Sequence, residues 1–348
     1  MENKKEIAKV QLGFFPTPFY RLNHISEDLG VNLYIKRDDF SGMSLFGGNK
    51  IRKLEYLLGD AVRKGCDTVF TYGATQSNHA MQTATACRRL GLTPILYLVA
   101  LVRPDENDIR SNLLLDKILG AEIHIVEQQG GETEEEAEER SFVMAREHAA
   151  KLEAEGHKCY DVPMGGANPI GSAAFVEGYL ELQKQLQAMN VSMDYLFHAT
   201  GTGGTMAGLV AGRAAYEETF SEAHHAEIIS INVSHKDQKA YHQKCTDMGN
   251  QALELMGYEA RIRPEDFHTE LGYYEPGYEI PNEAATAAIK YLAEKEGLLV
   301  DPVYTGKAFA GMLDFIRTEK VPKGSHVVFW HTGGATALFA EKEILGEI

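Results

Sequence analysis

The feature that most constrains this chain is an alternation, almost from end to end, of short apolar β-rich runs with stretches of helical spacing. Residues 68–72, 94–99, 122–126, 194–199, 228–233 and 327–330 read as buried strands. Helices are predicted over 78–89, closed by Gly91, and from Thr205 to about Tyr216. Ile109, Leu113, Leu114 and Ile118 recur at helical spacing, with Gly120 as a natural stop. Such alternation predicts an α/β fold of open, parallel, twisted sheets with helices on both faces. In such sheets, ligands gather in the loops at the carboxyl ends of the strands.

A chain of 348 residues suits two lobes or one large α/β unit. Gly165 and Gly166, between Pro163 and Pro169, read as a crossover between lobes. The acidic run at 132–139 continues into a helical pattern and reads as a solvated helix face.

Acidic residues outnumber basic ones by 50 to 34, a formal net charge of −16. That balance argues against nucleic acid or an anionic membrane as the main partner. Cys66, Cys87, Cys159 and Cys245 form no CxxC pair, so no disulfide framework and no metal are expected. Residues 1–9 are charged and lack the apolar stretch of a signal peptide, and no apolar run is long enough to span a bilayer. A cytoplasmic protein is the resulting expectation.

Three segments carry candidate chemistry. In the first, Gly201, Thr202, Gly203, Gly204 and Thr205 follow an apolar strand and open a helix. Glycines there let backbone N–H groups converge, and the helix N-terminus adds partial positive charge, which suits a phosphate. A dinucleotide fingerprint would need glycine where Met206 stands, and the Lys-Ser/Thr pair of a P-loop is missing. A tight turn without a ligand would use the same residues. In the second, Lys50 follows Phe46, Gly47, Gly48 and Asn49 at the start of a predicted helix whose apolar face is Ile51, Leu54, Leu57, Leu58 and Ala61. Burial or nearby cations, with Arg52 and Lys53 at hand, would make Lys50 a nucleophile, whereas in water it is an ordinary basic helix start. The third, Ser77, Asn78 and His79, lies at a strand-to-helix turn where Ser77 also suits an N-cap. There is no GxSxG elbow for a serine triad.

Taken together and in order, these segments and the run Asp301, Pro302, Val303, Tyr304, Thr305, Gly306, Lys307 resemble the tryptophan-synthase-β-like (type II) class of pyridoxal-5'-phosphate (PLP) enzymes. Within it, the chain is similar to the branch holding aminocyclopropane-carboxylate deaminase and D-cysteine desulfhydrase, from Pro16 to Gly334. The resemblance implies PLP in a cleft between two lobes, 1–52 with 165–348 and 53–164, and a homodimer. It implies that Lys50 binds the cofactor aldehyde and later moves a proton at the substrate Cα. Asn78 would bond the cofactor's ring oxygen, and the 201–205 loop with Lys53 would hold the phosphate. Ser77 would meet the substrate carboxylate, with His79 as a further substrate contact. Tyr278 and Tyr304 would flank the substrate, although both also suit core or surface aromatics.

Two positions separate the branches. The deaminase carries Glu after the tyrosine of the DPVY motif and an apolar residue before the late glycine pair. Here Thr305 and Thr332 stand at those places, as in the desulfhydrase. Both would lie beside the cofactor. A neutral threonine near the pyridine nitrogen gives a weaker electron sink than a carboxylate, which suffices when a good leaving group departs from Cβ. The resemblance thus implies a carbon–sulfur lyase acting on D-cysteine. L-cysteate, losing sulfite, and ring opening of aminocyclopropane-carboxylate are the alternatives, and a non-catalytic amino-acid- or phosphate-binding protein is the rival class. One departure is Met81, where relatives commonly have Arg.

Overall fold

The computed structural model describes residues 7–42, 47–100, 104–105, 109–220, 222–278, 280 and 282–340. Phe46 of the lysine segment lies outside them. The chain opens with β1 (Phe19–Arg21), α1 (Asn23–Leu29) and β2 (Asn32–Arg37). It continues through α2 (Asn49–Arg63), β3 (Thr68–Ala74), α3 (Asn78–Leu90), β4 (Thr93–Ala100) and α4 (Ser111–Ile118). Next come β5 (Glu122–Glu127), α5 (Glu134–Ala154), β6 (Cys159–Val162) and α6 (Pro169–Ala188). Then follow β7 (Tyr195–Thr200), α7 (Gly204–Thr219), β8 (Glu227–Asn232), α8 (Gln238–Met256) and β9 (His268–Glu270). The last elements are α9 (Glu283–Glu296), α10 (Thr305–Arg317) and β10 (His326–His331).

The strands form two sheets. One has six strands in the order β1-β2-β10-β7-β8-β9, and the other four in the order β5-β4-β3-β6. All pairings are parallel except β1 with β2. Period-two side-chain alternation sends successive residues to opposite faces. Leu196, Ile228, Val328 and Trp330 pack in one core with residues of α6, α7 and α8. Their neighbours Phe197, Ile229, Val327 and Phe329 pack in a second core with α1, α9 and α10. In the smaller sheet, Phe70, Tyr72, Ile95 and Tyr97 pack with residues of α5, whereas Val69 meets α2 and Leu96 and Leu98 meet α3.

The six strands read from sequence are β3, β4, β5, β7, β8 and β10. The structure adds β1, β2, β6 and β9. Three of these have only three or four residues, too few for a period to declare itself. β2 ends in Lys36 and Arg37, charged residues that look like a surface. Both are buried, because Lys36 bonds Glu181 and the Thr17 carbonyl while Arg37 pairs with Asp39.

The acidic run does form a solvated helix start. Thr133 caps α5 in a capping box with Glu136, and glutamates fill the first turn, where the helix dipole favours them. No helix among the described residues is long and apolar enough to cross a membrane.

Candidate active site

Three strand ends and one helix start converge. Gly48, just before α2, forms an isolated bridge with Gly333, just after β10, and the Asn49 N–H donates to the Thr332 carbonyl at 3.0 Å. A Cβ on Gly333 would stand 2.8 Å from the Gly48 Cα, so glycine is required for backbone to meet backbone there. This contact fixes where α2 begins, and hence where Lys50 stands.

Lys50 is half-buried and donates to Asn49 Oδ1 at 3.0 Å. Asn49 in turn donates through Nδ2 to Thr205 Oγ1 at 3.0 Å, tying the lysine to the glycine loop. Burial pushes the Lys50 ammonium down to about 8, partly opposed by the carboxylate of Asp301. A share of Lys50 is therefore neutral, and nucleophilic, near physiological pH.

The expectation that Arg52 adds positive charge to the site is corrected. Its guanidinium turns away and makes paired bonds of 2.8 Å to both oxygens of Asp38, with further bonds to Glu181. That charge is neutralised in the interior. Lys53 is the cation that stays. It is 1 % exposed, it donates to the Gly165 carbonyl at 3.0 Å, and among the described residues no carboxylate pairs with it. Burial, and then the neighbouring Lys50, push its ammonium well below the ordinary value.

A buried ammonium without a counter-ion is costly unless an anion arrives. Directly beside it α7 begins. A Cβ on Gly204 would lie 2.9 Å from Lys53 Nζ, and Gly203, at the N-cap with φ of +92°, offers no side-chain cap. Uncapped N–H groups, a helix dipole and a buried cation thus face one small volume, which fits the phosphate of PLP. Thr202 packs against Gly165, where a Cβ would fall 2.5 Å from its Oγ1. From beneath, Tyr241 donates to the Gly201 carbonyl at 2.8 Å, and Cys245 Sγ lies 3.8 Å from the Gly203 carbonyl oxygen.

On the other wall, Ser77 caps α3 by accepting from the Ala80 N–H at 3.2 Å. Asn78 follows it. Its Oδ1 accepts from Asn112 Nδ2 at 2.8 Å and from Thr336 Oγ1 at 2.9 Å, so its amide nitrogen faces the other way. A Cβ on Gly334, where φ is +100°, would lie 3.2 Å from that nitrogen and 2.8 Å from the carboxyl carbon of Asp301. Asn78 therefore turns its amide N–H groups towards Gly334 and Asp301.

Asp301 is fully buried. Its oxygens accept from the N–H groups of Val303, Tyr304 and Thr305 at 2.7–2.9 Å and from Thr305 Oγ1 at 2.5 Å. Thr305 Oγ1 also accepts from the Asp301 N–H at 2.8 Å. Tyr304 stands next to it. Its ring approaches Gly201, and its hydroxyl hydrogen-bonds that of Tyr278, with the two rings edge to face at 5.9 Å between centroids. The loop that carries Tyr278 is tacked down by buried Lys307, which donates to the carbonyls of Tyr274 and Gly277 at 3.1 and 2.9 Å.

The structure thus brings together Lys50, Lys53, Asn78, Tyr304, Thr305, Thr332 and the 201–205 loop, with Ser77 and Tyr278 beside them. His79, in the first turn of α3, is 4 % exposed, with Nε2 2.8 Å from Thr71 Oγ1, and burial and then the charges of Lys50 and Lys53 push its imidazole well below the ordinary value. Met81 is also buried, and its sulfur accepts from Thr85 Oγ1 at 3.6 Å. Sequence reasoning gave no role to Asn49, Asp301, Lys307 or Tyr241. The first three lie within the quoted motifs. Tyr241 lies forty residues from the loop it supports and carries no local signal.

Comparison with known proteins agrees with this geometry. The family model described as "Pyridoxal-phosphate dependent enzyme" matches residues 10–333. A Pyrococcus abyssi protein provisionally named a 1-aminocyclopropane-1-carboxylate deaminase is 39% identical over 333 residues, covering 95% of this chain and 93% of that protein. A D-cysteine desulfhydrase of Klebsiella pneumoniae is 36% identical over 345 residues, covering 98% of each. The crystal structure of an ACC deaminase homologue superposes with a TM-score of 0.83 at 36% identity, over 98% of this chain and 96% of that one. A cleft built around a half-buried lysine, a buried unpaired cation and an uncapped glycine loop, matched over nearly its whole length, places this chain in the family of pyridoxal-phosphate-dependent enzymes, among relatives named as lyases.

Proposed function

We propose that this enzyme eliminates the β-substituent of a small amino acid, with D-cysteine as substrate and pyruvate, ammonia and hydrogen sulfide as products. The observation that carries the reading is the pair Thr305 and Thr332, both buried in the wall beside the lysine, where the deaminase pattern has Glu and an apolar residue. Thr305 supplies no charge, and the nearby carboxylate of Asp301 is committed to four donors, the N–H groups of Val303, Tyr304 and Thr305 and the Thr305 hydroxyl, at the start of α10. The wall therefore gives little extra stabilisation to a long-lived carbanion, which suits a substrate whose leaving group departs readily.

Bound PLP supplies an electron sink for negative charge developing at the substrate Cα. The protein's own groups do the rest. Lys53, the N–H groups of the 201–205 loop and Asn78 hold the cofactor. Ser77, at the N-terminus of α3, binds the substrate carboxylate, where helix polarity favours an anion. Lys50, with its lowered pKa, takes the Cα proton as a neutral amine. The hydroxyl pair Tyr278 and Tyr304 holds a proton at the side of the cleft where the β-substituent leaves. The site lies between two lobes, 1–52 with 165–348 and 53–164. A cytoplasmic homodimer is the assembly that goes with the resemblance.

Ring opening of aminocyclopropane-carboxylate is the second reading, favoured by the name of the Pyrococcus relative. The test is product analysis of the PLP-loaded enzyme with D-cysteine, L-cysteine, L-cysteate and aminocyclopropane-carboxylate in parallel. Pyruvate and sulfide from D-cysteine support the proposal. Sulfite from L-cysteate, or 2-oxobutyrate from the cyclopropane, with D-cysteine inert, would move the assignment.

A further inference from the structure

Away from the cleft, the smaller sheet and α5 bring together three side chains of metal-ligating type. Glu122 and His124 lie two residues apart on β5, the strand at the edge of that sheet, and so project from one face. His148, on α5, packs over that face. His124 Nε2 lies 2.7 Å and His148 Nε2 3.7 Å from the same oxygen, Glu122 Oε1. One ligand atom from each residue lies within 4.8 Å of the other two. Around a tetrahedral ion with bonds of about 2.0–2.1 Å, ligands stand roughly 3.4 Å apart, so a small side-chain adjustment seats one.

The surroundings orient both imidazoles. Tyr97, the register partner of His124 on β4, stacks on the His124 ring at 4.5 Å and 9°. Its hydroxyl is 3.1 Å from His148 Nδ1, and Phe70 meets the His148 ring edge-on at 5.5 Å. A hydroxyl on Nδ1 frees Nε2 to point at the metal position, which is how outer partners set up a histidine ligand. Both histidines are half-buried and Glu122 is exposed, which leaves a side open to water. Of the 21 residues of α5 only Ala137, Ser141 and Ala145 are fully buried, with Phe142, Ala149 and Leu152 half-buried against the sheet, so a metal bridge would add a second anchor.

We propose that Glu122, His124 and His148 bind a divalent transition-metal ion of the zinc class, which staples α5 to β5. Two imidazoles and one carboxylate select such an ion over magnesium or calcium, which favour all-oxygen sites. Cysteine spacing carries no trace of this set, which the fold assembles by bringing His148 back to Glu122 and His124, 26 and 24 residues earlier. None of the three ligands belongs to the cleft, so the effect falls on stability rather than chemistry.

The test is calorimetric titration of the PLP-loaded enzyme with zinc chloride, with melting curves recorded alongside. One ion per chain should bind and raise Tm, and magnesium should do neither. His148→Gln and His124→Gln should each weaken zinc binding more than about tenfold, and Tyr97→Phe should weaken it less while keeping the ring stack. Glu122→Gln, at an exposed position, repeats the test should a histidine variant fail to fold. Absence of a zinc isotherm, or an isotherm unchanged in the histidine and glutamine variants, would overturn the proposal.

Discussion

Replacing Lys53 by Met separates a cofactor-binding role from a structural one, because the two predict opposite signs. Met nearly fills the volume of the lysine stem while removing the ammonium. That ammonium is 1 % exposed, has the Gly165 carbonyl as hydrogen-bond partner, and sits against the Gly204 backbone where the phosphate is expected. A charge-assisted hydrogen bond is worth about 1.5–3 kcal/mol, so Lys53→Met should weaken PLP binding by roughly 10- to 150-fold. In the cofactor-free protein the sign reverses. A lysine whose folded pKa is lowered destabilises the fold at every pH below its unfolded value, so its removal should raise the apo Tm. PLP titration of the apoenzyme, followed by visible absorbance, gives the affinity, and melting curves with and without PLP give the stability. An unchanged PLP affinity with a lowered apo Tm would refute the reasoning and make Lys53 a strut for the Gly165 turn.

Four further outcomes rest on the same geometry. Capture of PLP by the apoenzyme should accelerate with pH around a midpoint near 8, since only neutral Lys50 adds to an aldehyde; stopped-flow absorbance reads this, and a flat profile would contradict the buried lysine. Lys307→Met should lower kcat more than it weakens PLP binding, because it frees the loop that carries Tyr278 from its anchor on the Tyr274 and Gly277 carbonyls. Arg52→Met should destabilise the protein by about 3–5 kcal/mol in denaturant melts, since it leaves Asp38 buried without its ion partner and Glu181 with Lys36 alone. Against the upward pull of burial, Arg52 and Lys36 hold the Glu181 carboxyl down to about 2. Its stabilising contribution is present above the unfolded glutamate value and should be lost as pH falls from about 4.3 toward 2 in the wild type.

The parts of this fold legible in sequence were those whose signals are local. Strands such as 228–233 are long enough to show an apolar run, and Gly91 ends its helix in a left-handed conformation that glycine adopts freely. The glycine loop and Lys50 drew attention through their neighbours in the chain, although each taken alone also suited a structural role and only the ordered set of segments gave them a shared one. Charges misled, since partners decide whether a charge is buried. Arg52, beside Lys50 in sequence, serves an ion network on the far side of α2, whereas Lys53, one residue on, points into the site. Helical geometry turns adjacent residues about 100° apart, and no pattern of spacing reveals which of them meets a carboxylate from α6. Asp301 was passed over for the same reason. It reads as a surface acid in a DPVY motif, and only the fold shows it sealed against Gly334 and the first turn of α10.

The most direct test of the central claim is the release of pyruvate and sulfide from D-cysteine by the PLP-loaded enzyme and by Lys50→Ala, measured side by side. The account predicts equal amounts of the two products from the wild type and a rate lower by at least about a thousandfold in the variant. Wild-type turnover retained in Lys50→Ala, or no sulfide from D-cysteine with the cofactor bound, would contradict it.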